Sequence, residues 1–179
     1  MNSEHFFFPS HVGDVPPAFF TAAGKALALA SRFEASCRVV SMALLLRADR
    51  SILASEKSLR SFTDEIDRRG LNRHILEIRR VVGDELDLFR VLNGAREARN
   101  HIAHELMLGF EEWLFHEEAV ASFLGMLQER TRTLAEGERV AAFIGAVVTK
   151  AEIPTGLAGF PEDCVAWVMD GVGEASSWR

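Results

Sequence analysis

Apolar residues recur along most of this chain at every third or fourth position, the spacing that gathers them on one side of an α-helix. No stretch has the alternation of apolar and polar residues that is typical of a β-strand. Glycine, proline and Asn-Gly separate the periodic stretches from one another. The pattern predicts an all-α protein, an antiparallel helical bundle of about five to six helices.

The first predicted helix spans about residues 16–47. Asp14 followed by Pro16 and Pro17 is typical of a helix start, because a short side-chain acceptor and prolines both suit the first turn. The apolar residues of this helix cover more than one face, which is typical of a central helix. Residues 1–13, which include three consecutive phenylalanines, are predicted to be an irregular arm.

Breaker residues divide the rest of the chain. Gly70, Asn93-Gly94, Gly109 and Glu136-Gly137-Glu138 are predicted to end or interrupt helices. Residues 153–179 are predicted to be a loop followed by a short C-terminal helix over about 163–169, and the whole of 1–179 a single domain. The helices expected between the first and the last cover about 51–69, 72–92, 95–108, 111–135 and 139–151.

Charge is distributed unevenly along a chain whose net charge is -6. Residues 47–100 carry a net +2, whereas residues 101–179 carry -8. This balance argues against a protein that coats nucleic acid generally and leaves room for a local phosphate site.

Two cysteines and the apolar segments indicate where the protein functions. Cys37 and Cys164 lie in apolar contexts and are predicted to be buried free thiols, as in a reducing compartment. The apolar run 18–31 has no preceding Lys or Arg and is interrupted by Lys25, so it is interpreted as a core helix rather than a targeting signal. We therefore expect a cytoplasmic protein with no membrane partner.

The candidate chemistry lies in Arg99-Asn100-His101-Ile102-Ala103-His104. The planar guanidinium of arginine donates several hydrogen bonds to phosphate, and histidine accepts and donates protons near neutral pH. On a helix, one face would carry four polar side chains and the opposite seam would be apolar. The polar face comprises Arg96, Asn100, His101 and His104, the seam comprises Ala98, Ile102 and Leu106, and Arg99 falls at the edge of the seam.

Arg99-Asn100, followed after three residues by His104, resembles the signature of the HEPN superfamily, the higher eukaryote and prokaryote nucleotide-binding domains. The resemblance covers about six residues and the predicted helical layout after an Asn-Gly turn. Family members are helical and commonly dimeric. Many are metal-independent endoribonucleases of toxin–antitoxin and other defence systems, and some bind RNA without cleaving it.

The resemblance implies roles for three residues and a partner. Arg99 would stabilise charge on phosphate, Asn100 would position the substrate, and His104 would transfer a proton. The substrate would be RNA, cleaved to a 2′,3′-cyclic phosphate end with no metal or other cofactor. Arg96 and His101 form a second, overlapping pair and are assigned to substrate binding. Members regulated by a nucleotidyltransferase antitoxin often carry Tyr two residues after the histidine, where this chain has Leu106.

Acid–base cleavage of a phosphodiester needs one group to accept a proton and another to donate one. One copy of the motif supplies His104, so a homodimer that brings two copies face to face would supply both groups. His101 is the intramolecular alternative for the second imidazole.

Other interpretations of these residues remain open. The motif is also compatible with an ordinary exposed helix face, in which Glu97 and Glu105 pair with neighbouring cations. His101 and His104, with a nearby glutamate, are a weak candidate metal pair. Two acidic groups, residues 64–67 and 84–87, are candidates for magnesium binding or for plain solvated surface.

The layout is also similar to that of the mannitol-operon repressor family, whose members are all-α and of about this length. This similarity implies a non-catalytic transcriptional regulator or interaction protein, whose acidic C-terminal half would bind a basic partner.

Overall fold

In the computed structural model, which describes residues 17–83, 86–108 and 117–172, every regular element is a helix. The all-α fold predicted from the sequence is confirmed. The described residues form α1 (Pro17–Ala48), a 3-10 helix (Arg50–Ala54), α2 (Glu56–Asp67), α3 (Leu71–Val82), α4 (Leu86–Leu108), α5 (Glu117–Thr149) and α6 (Phe160–Met169).

α1 is the central helix, as its apolar pattern predicts, and packs against α3, α4, α5 and α6. Its long neighbour α5 runs in the same direction. The rings of Phe19 and Phe123 lie 4.5 Å apart near the start of both helices. Further along, Gly145 packs against the side chain of Val40. The core between α1 and α5 therefore extends along most of their length.

α4 and α6 run antiparallel to this long pair. Ala95 of α4 lies against Gly137 of α5, and one to two turns later in α4 the ring of His101 reaches back to Met126. α4 thus returns the chain to the end of the bundle where α1 begins, which lets α5 run parallel to α1. The antiparallel arrangement predicted for neighbouring helices holds for α4 against α5.

The predicted boundary at Asn93-Gly94 is wrong, because both residues lie inside α4. The preceding helix ends at Gly83 instead, where φ is +86°, a conformation that favours glycine. Gly94 faces Thr133 of α5, and the Asn93 side chain donates to Glu97 one turn later. Packing and a side-chain bond within the helix therefore override the turn preference of Asn-Gly.

The predicted break at residues 136–138 is also wrong, since α5 continues through it. A Cβ on Gly137 would lie 2.2 Å from that of Ala95, so the glycine lets α4 and α5 approach closely. Glu138 is buried, and its Oε1 accepts hydrogen bonds from Arg32 Nε at 3.0 Å and Ser36 Oγ at 2.9 Å. Gly137 and Glu138, which were predicted to interrupt the helix, instead contact neighbouring helices.

Two further boundaries differ from the prediction. The second helix begins at Glu56 rather than residue 51, because the Ser55 hydroxyl accepts from the backbone N–H of Ser58 and caps it. The last helix begins at Phe160, with Pro161 in its first turn. The predicted arm 1–13, the segment 111–116 and the last residues, 173–179, lie outside the described residues.

Cys37 and Cys164 are buried and not joined in a disulfide, as predicted. Burial is the main cause that raises the pKa of each thiol above its ordinary value. None of the helices within the described ranges combines enough length and apolarity to cross a membrane.

Candidate functional site

The buried side of α4 is made of small and aliphatic residues. Ala95, Ala98 and Ile102 are fully enclosed between α4 and its neighbours. Ala98 and Ile102 confirm the predicted apolar seam, whereas the side chain of Leu106 lies outside the described part of the chain. Because this side is sealed by packing, the polar residues of the motif are held on the flanks and outer face of the helix.

Arg99 lies on the flank of α4 that faces α1. Its Nη2 donates to Glu34 Oε2 of α1 at 2.5 Å, and its Nη1 donates to Asn100 Oδ1 at 3.2 Å. The side chains of Arg99 and Glu34 are 26% and 36% exposed, so solvent and ligands reach the pair. The prediction that Arg99 falls at the edge of the apolar seam agrees with this position.

Asn100 and His104 occupy the outer face of α4, where both are exposed. They are four residues apart and therefore lie one above the other on the helix. Arg99 and His104 are separated by about 140° around the helix axis on ideal geometry. Within one copy, Arg99 is turned toward α1 while His104 faces outward, so the two do not converge on a single point.

His101 and Arg96 are half-buried and engaged with neighbours. The Nε2 atom of His101 lies against Met126 Sδ, on the flank of α4 that faces α5. Arg96 Nε donates to Asn93 Oδ1 at 3.0 Å, and its Nη2 lies 3.7 Å from Glu97 Oε1. The pairing of Glu97 with a neighbouring cation is the one expected of an ordinary helix surface.

Glu34 is the residue of this site that the motif did not reveal. It lies 65 positions before Arg99, and no local spacing connects the two. One signal was available: Glu34 is the only acidic residue in α1, which carries four basic ones. A lone carboxylate on an otherwise basic helix is a reason to look for a cation on a neighbouring helix.

A buried polar pair lies near Glu34. His74 and Ser41 are buried between α3 and α1, with His74 Nδ1 3.2 Å from Ser41 Oγ. Burial lowers the pKa of His74, and the nearby guanidiniums of Arg69 and Arg38 lower it further. The carboxylate of Glu34 and a hydrogen bond with the Arg69 backbone act in the opposite direction.

The acidic groups proposed for magnesium do not form a metal centre among the described residues. Asp67 pairs with Arg38 at 3.2 Å, Glu65 pairs with Arg69, and Asp87 pairs with Arg90 at 3.1 Å. Asp84 and Glu85 lie outside the description. Within the described ranges, no three His, Cys, Asp or Glu side chains are placed to hold a metal ion, which includes Glu97 with His101 and His104.

Comparisons of the chain with protein-family models, with curated proteins and with solved structures find no match. The chemistry of the site is therefore inferred from its own residues.

Proposed function

We propose that this protein is a HEPN-like RNA-binding protein and metal-independent endoribonuclease, whose site is the exposed part of α4. The observation that carries the proposal is the contact between Arg99 and Asn100, with His104 exposed one turn further on. This arrangement presents a cation, an amide and an imidazole on the accessible sides of a rigid helix. These groups suit the binding of a phosphodiester and the transfer of a proton.

On this proposal, His104 accepts the proton of the RNA 2′-hydroxyl as its oxygen attacks phosphorus. The bond from phosphorus to the 5′-oxygen breaks, and a second imidazole donates a proton to that leaving oxygen. The products are a 2′,3′-cyclic phosphate and a 5′-hydroxyl. Arg99 offsets the negative charge that builds on the phosphoryl oxygens, and Asn100 positions them.

The geometry favours a second copy of the chain as the source of the second imidazole. His101 lies against Met126 on the α5 flank, on a different side of α4 from Arg99. Two copies facing each other across a twofold axis would set two His104 and two Arg99 around one cleft. The protein would act as a homodimer on RNA in the cytoplasm, in a toxin–antitoxin or phage-defence system with an antitoxin as a further partner.

The deciding experiment incubates purified protein with total RNA in EDTA. We expect the wild type to cleave and His104→Ala to lose about 10²- to 10⁴-fold in rate, because proton transfer contributes about that much. Arg90→Ala is the matched control, since Arg90 is an exposed arginine on the same helix that pairs with Asp87. It should cleave like the wild type, and the product ends should be cyclic phosphates. Unchanged cleavage by His104→Ala would contradict the assignment.

A second candidate function is a non-catalytic regulator or interaction protein, similar in layout to the mannitol-operon repressor family. The ion pair between Arg99 and Glu34 favours it, because a paired arginine also serves simply to join α4 to α1. If that is its whole role, Arg99→Ala lowers the melting temperature and leaves RNA binding unchanged. Loss of RNA binding in Arg99→Ala, with the melting temperature preserved, would instead favour the nuclease proposal.

A further inference from the structure

The guanidinium of Arg99 already pairs with a carboxylate of the protein, that of Glu34. Glu34 Oε2 accepts from Nη2 at 2.5 Å, on a terminal nitrogen that a phosphate oxygen would also use. The other terminal nitrogen donates to Asn100. A phosphate that approaches Arg99 therefore meets a carboxylate of like charge at the same donors.

We infer that Glu34 competes with phosphate for Arg99, so that a single phosphate group binds weakly and only a ligand with several phosphates, such as an RNA strand, binds tightly enough to displace Glu34. This inference rests on the proposed function and names the substrate class of the same site. In this scheme Glu34 lowers the affinity of the site for every ligand that binds Arg99 through a phosphate, and it takes no part in proton transfer.

Tethering makes Glu34 a strong competitor. A group held on a neighbouring element acts at an effective concentration of about millimolar or higher, so a ligand with one phosphate must exceed that to displace it. The packing of α1 against α4 holds Glu34 beside Arg99 without a flexible linker. Inorganic phosphate at millimolar concentration is therefore a poor ligand for the wild type.

An RNA strand differs from a single phosphate group because its neighbouring phosphates can bind further cationic side chains near Arg99. Arg96 lies one turn before Arg99 on α4, and Arg38 lies one turn after Glu34 on α1 with its side chain 45% exposed. Adjacent phosphates that contact such arginines release counterions and add to the affinity of the strand. Together these contacts offset the cost of separating Glu34 from Arg99.

The test compares Glu34→Gln with wild type in two titrations. NMR titration follows inorganic phosphate, and fluorescence anisotropy follows a labelled ten-nucleotide single-stranded RNA. Glutamine keeps the length of the side chain and one acceptor oxygen, but it removes the charge. We expect phosphate affinity to rise about tenfold, as expected from the loss of one like charge a few ångströms away at the protein surface. RNA should also bind more tightly.

Glu56→Gln is the matched control, because Glu56 is an exposed glutamate that also pairs with an arginine, Arg60 at 3.0 Å, outside the proposed site. It changes net charge by the same amount, and we expect less than a twofold change in phosphate affinity. The double variant Glu34→Gln/Arg99→Ala should lose the gain entirely. Melting temperatures of all variants report whether each one is folded, and Glu34→Ala replaces Glu34→Gln if the latter is not.

An equal gain in Glu56→Gln, or a gain that survives the loss of Arg99, overturns the inference, because net charge would then explain it. So does unchanged phosphate affinity in a folded Glu34→Gln. If Arg99→Ala weakens RNA binding but Glu34→Gln does not strengthen phosphate binding, only this inference fails. If Arg99→Ala leaves both RNA binding and cleavage intact, the proposed function fails.

Discussion

At the scale of single residues, the partner of a charged side chain depends on the helix that packs beside it. Arg99 was predicted as a phosphate ligand from its neighbours in sequence, and its partner in the structure comes from α1. The side-chain oxygen of Asn100, the next residue in the sequence, accepts a hydrogen bond from the other terminal nitrogen of Arg99. The motif therefore identifies the chemical groups, whereas tertiary packing decides whether each group is engaged before a ligand arrives.

His74 makes stability depend on pH. Its pKa is lowered in the folded protein, mainly by burial, whereas in the unfolded chain it titrates near the ordinary value of 6.5. On acidification the unfolded state therefore binds the proton first, and the free energy of unfolding falls as pH drops through that value. Through His74, the free energy of unfolding changes by at most about 1.4 kcal/mol per pH unit. Urea unfolding between pH 8 and 5 measures it.

The control for this prediction separates titration from hydrogen bonding. His74→Gln cannot take up a proton in this range, so its stability should depend less on pH than that of the wild type. Ser41→Ala removes the hydrogen-bond partner at 3.2 Å but leaves the imidazole in place, so the slope should persist. Equal slopes in the wild type and His74→Gln would show that another group is responsible.

At the scale of elements, glycine has two opposite uses that look alike in a sequence. Gly83 ends α3 with a φ of +86°, a backbone conformation that favours glycine. Gly137 lies in the middle of α5, where its missing side chain lets Ala95 of α4 approach. Only the neighbouring helix distinguishes the two uses, which is why the predicted break in α5 was wrong.

Gly137→Ala should destabilise the protein by about 1–3 kcal/mol, because the added Cβ would lie 2.2 Å from that of Ala95 and 3.0 Å from the ring of Phe33. Gly125→Ala is the matched control on the same helix. Among the described residues, no atom other than those of its chain neighbours and its own helix backbone lies within 4 Å of a Cβ at Gly125. We therefore expect a small gain of up to about 1 kcal/mol from helix propensity. Denaturant melts measure both.

A compensating change sharpens the interpretation of the Gly137 variant. Adding Ala95→Gly to Gly137→Ala should recover part of the lost stability, because the clash is with the Ala95 side chain. Failure to recover any stability would locate the cost elsewhere, for example at Phe33.

At the scale of the whole molecule, the direction of α4 determines what one copy presents. The helix is wedged between α1 and α5, so its two flanks are engaged by Glu34 and Met126 and its outer face carries Asn100 and His104. A single copy thus exposes one imidazole of the motif, that of His104, on the outer face of α4. The proposed homodimer follows from this count and from the two proton transfers that the reaction needs.

The homodimer makes an inactive variant interfere with the wild type. If each cleft needs two His104, random exchange of subunits in an equimolar mixture with His104→Ala should leave about half of the cleavage activity of the wild-type protein present. An equimolar mixture with Arg90→Ala, which is expected to cleave like the wild type, should instead show about twice the activity of the wild-type protein present, because every cleft keeps two His104. The measurement is the initial rate of RNA cleavage after subunit exchange. Full activity in the first mixture would indicate that one copy suffices.

The sequence by itself determined the fold class, the central position of α1, the seam of Ala98 and Ile102 and the burial of both cysteines. Each of these follows from local periodicity or from apolar context, which act over one or two turns. Positions where helices end were predicted less well, because propensities of a fraction of a kcal/mol per residue are smaller than the energy of packing.

Tertiary structure alone decided that Asn93-Gly94 and Gly137 continue their helices and that α1 and α5 run parallel. It also decided that Arg99 is paired with a carboxylate 65 residues away. These features depend on contacts between residues far apart in the chain, and such contacts leave no periodic trace in the sequence. The physical reason is that close approach and charge pairing are properties of two surfaces, and a sequence pattern describes only one.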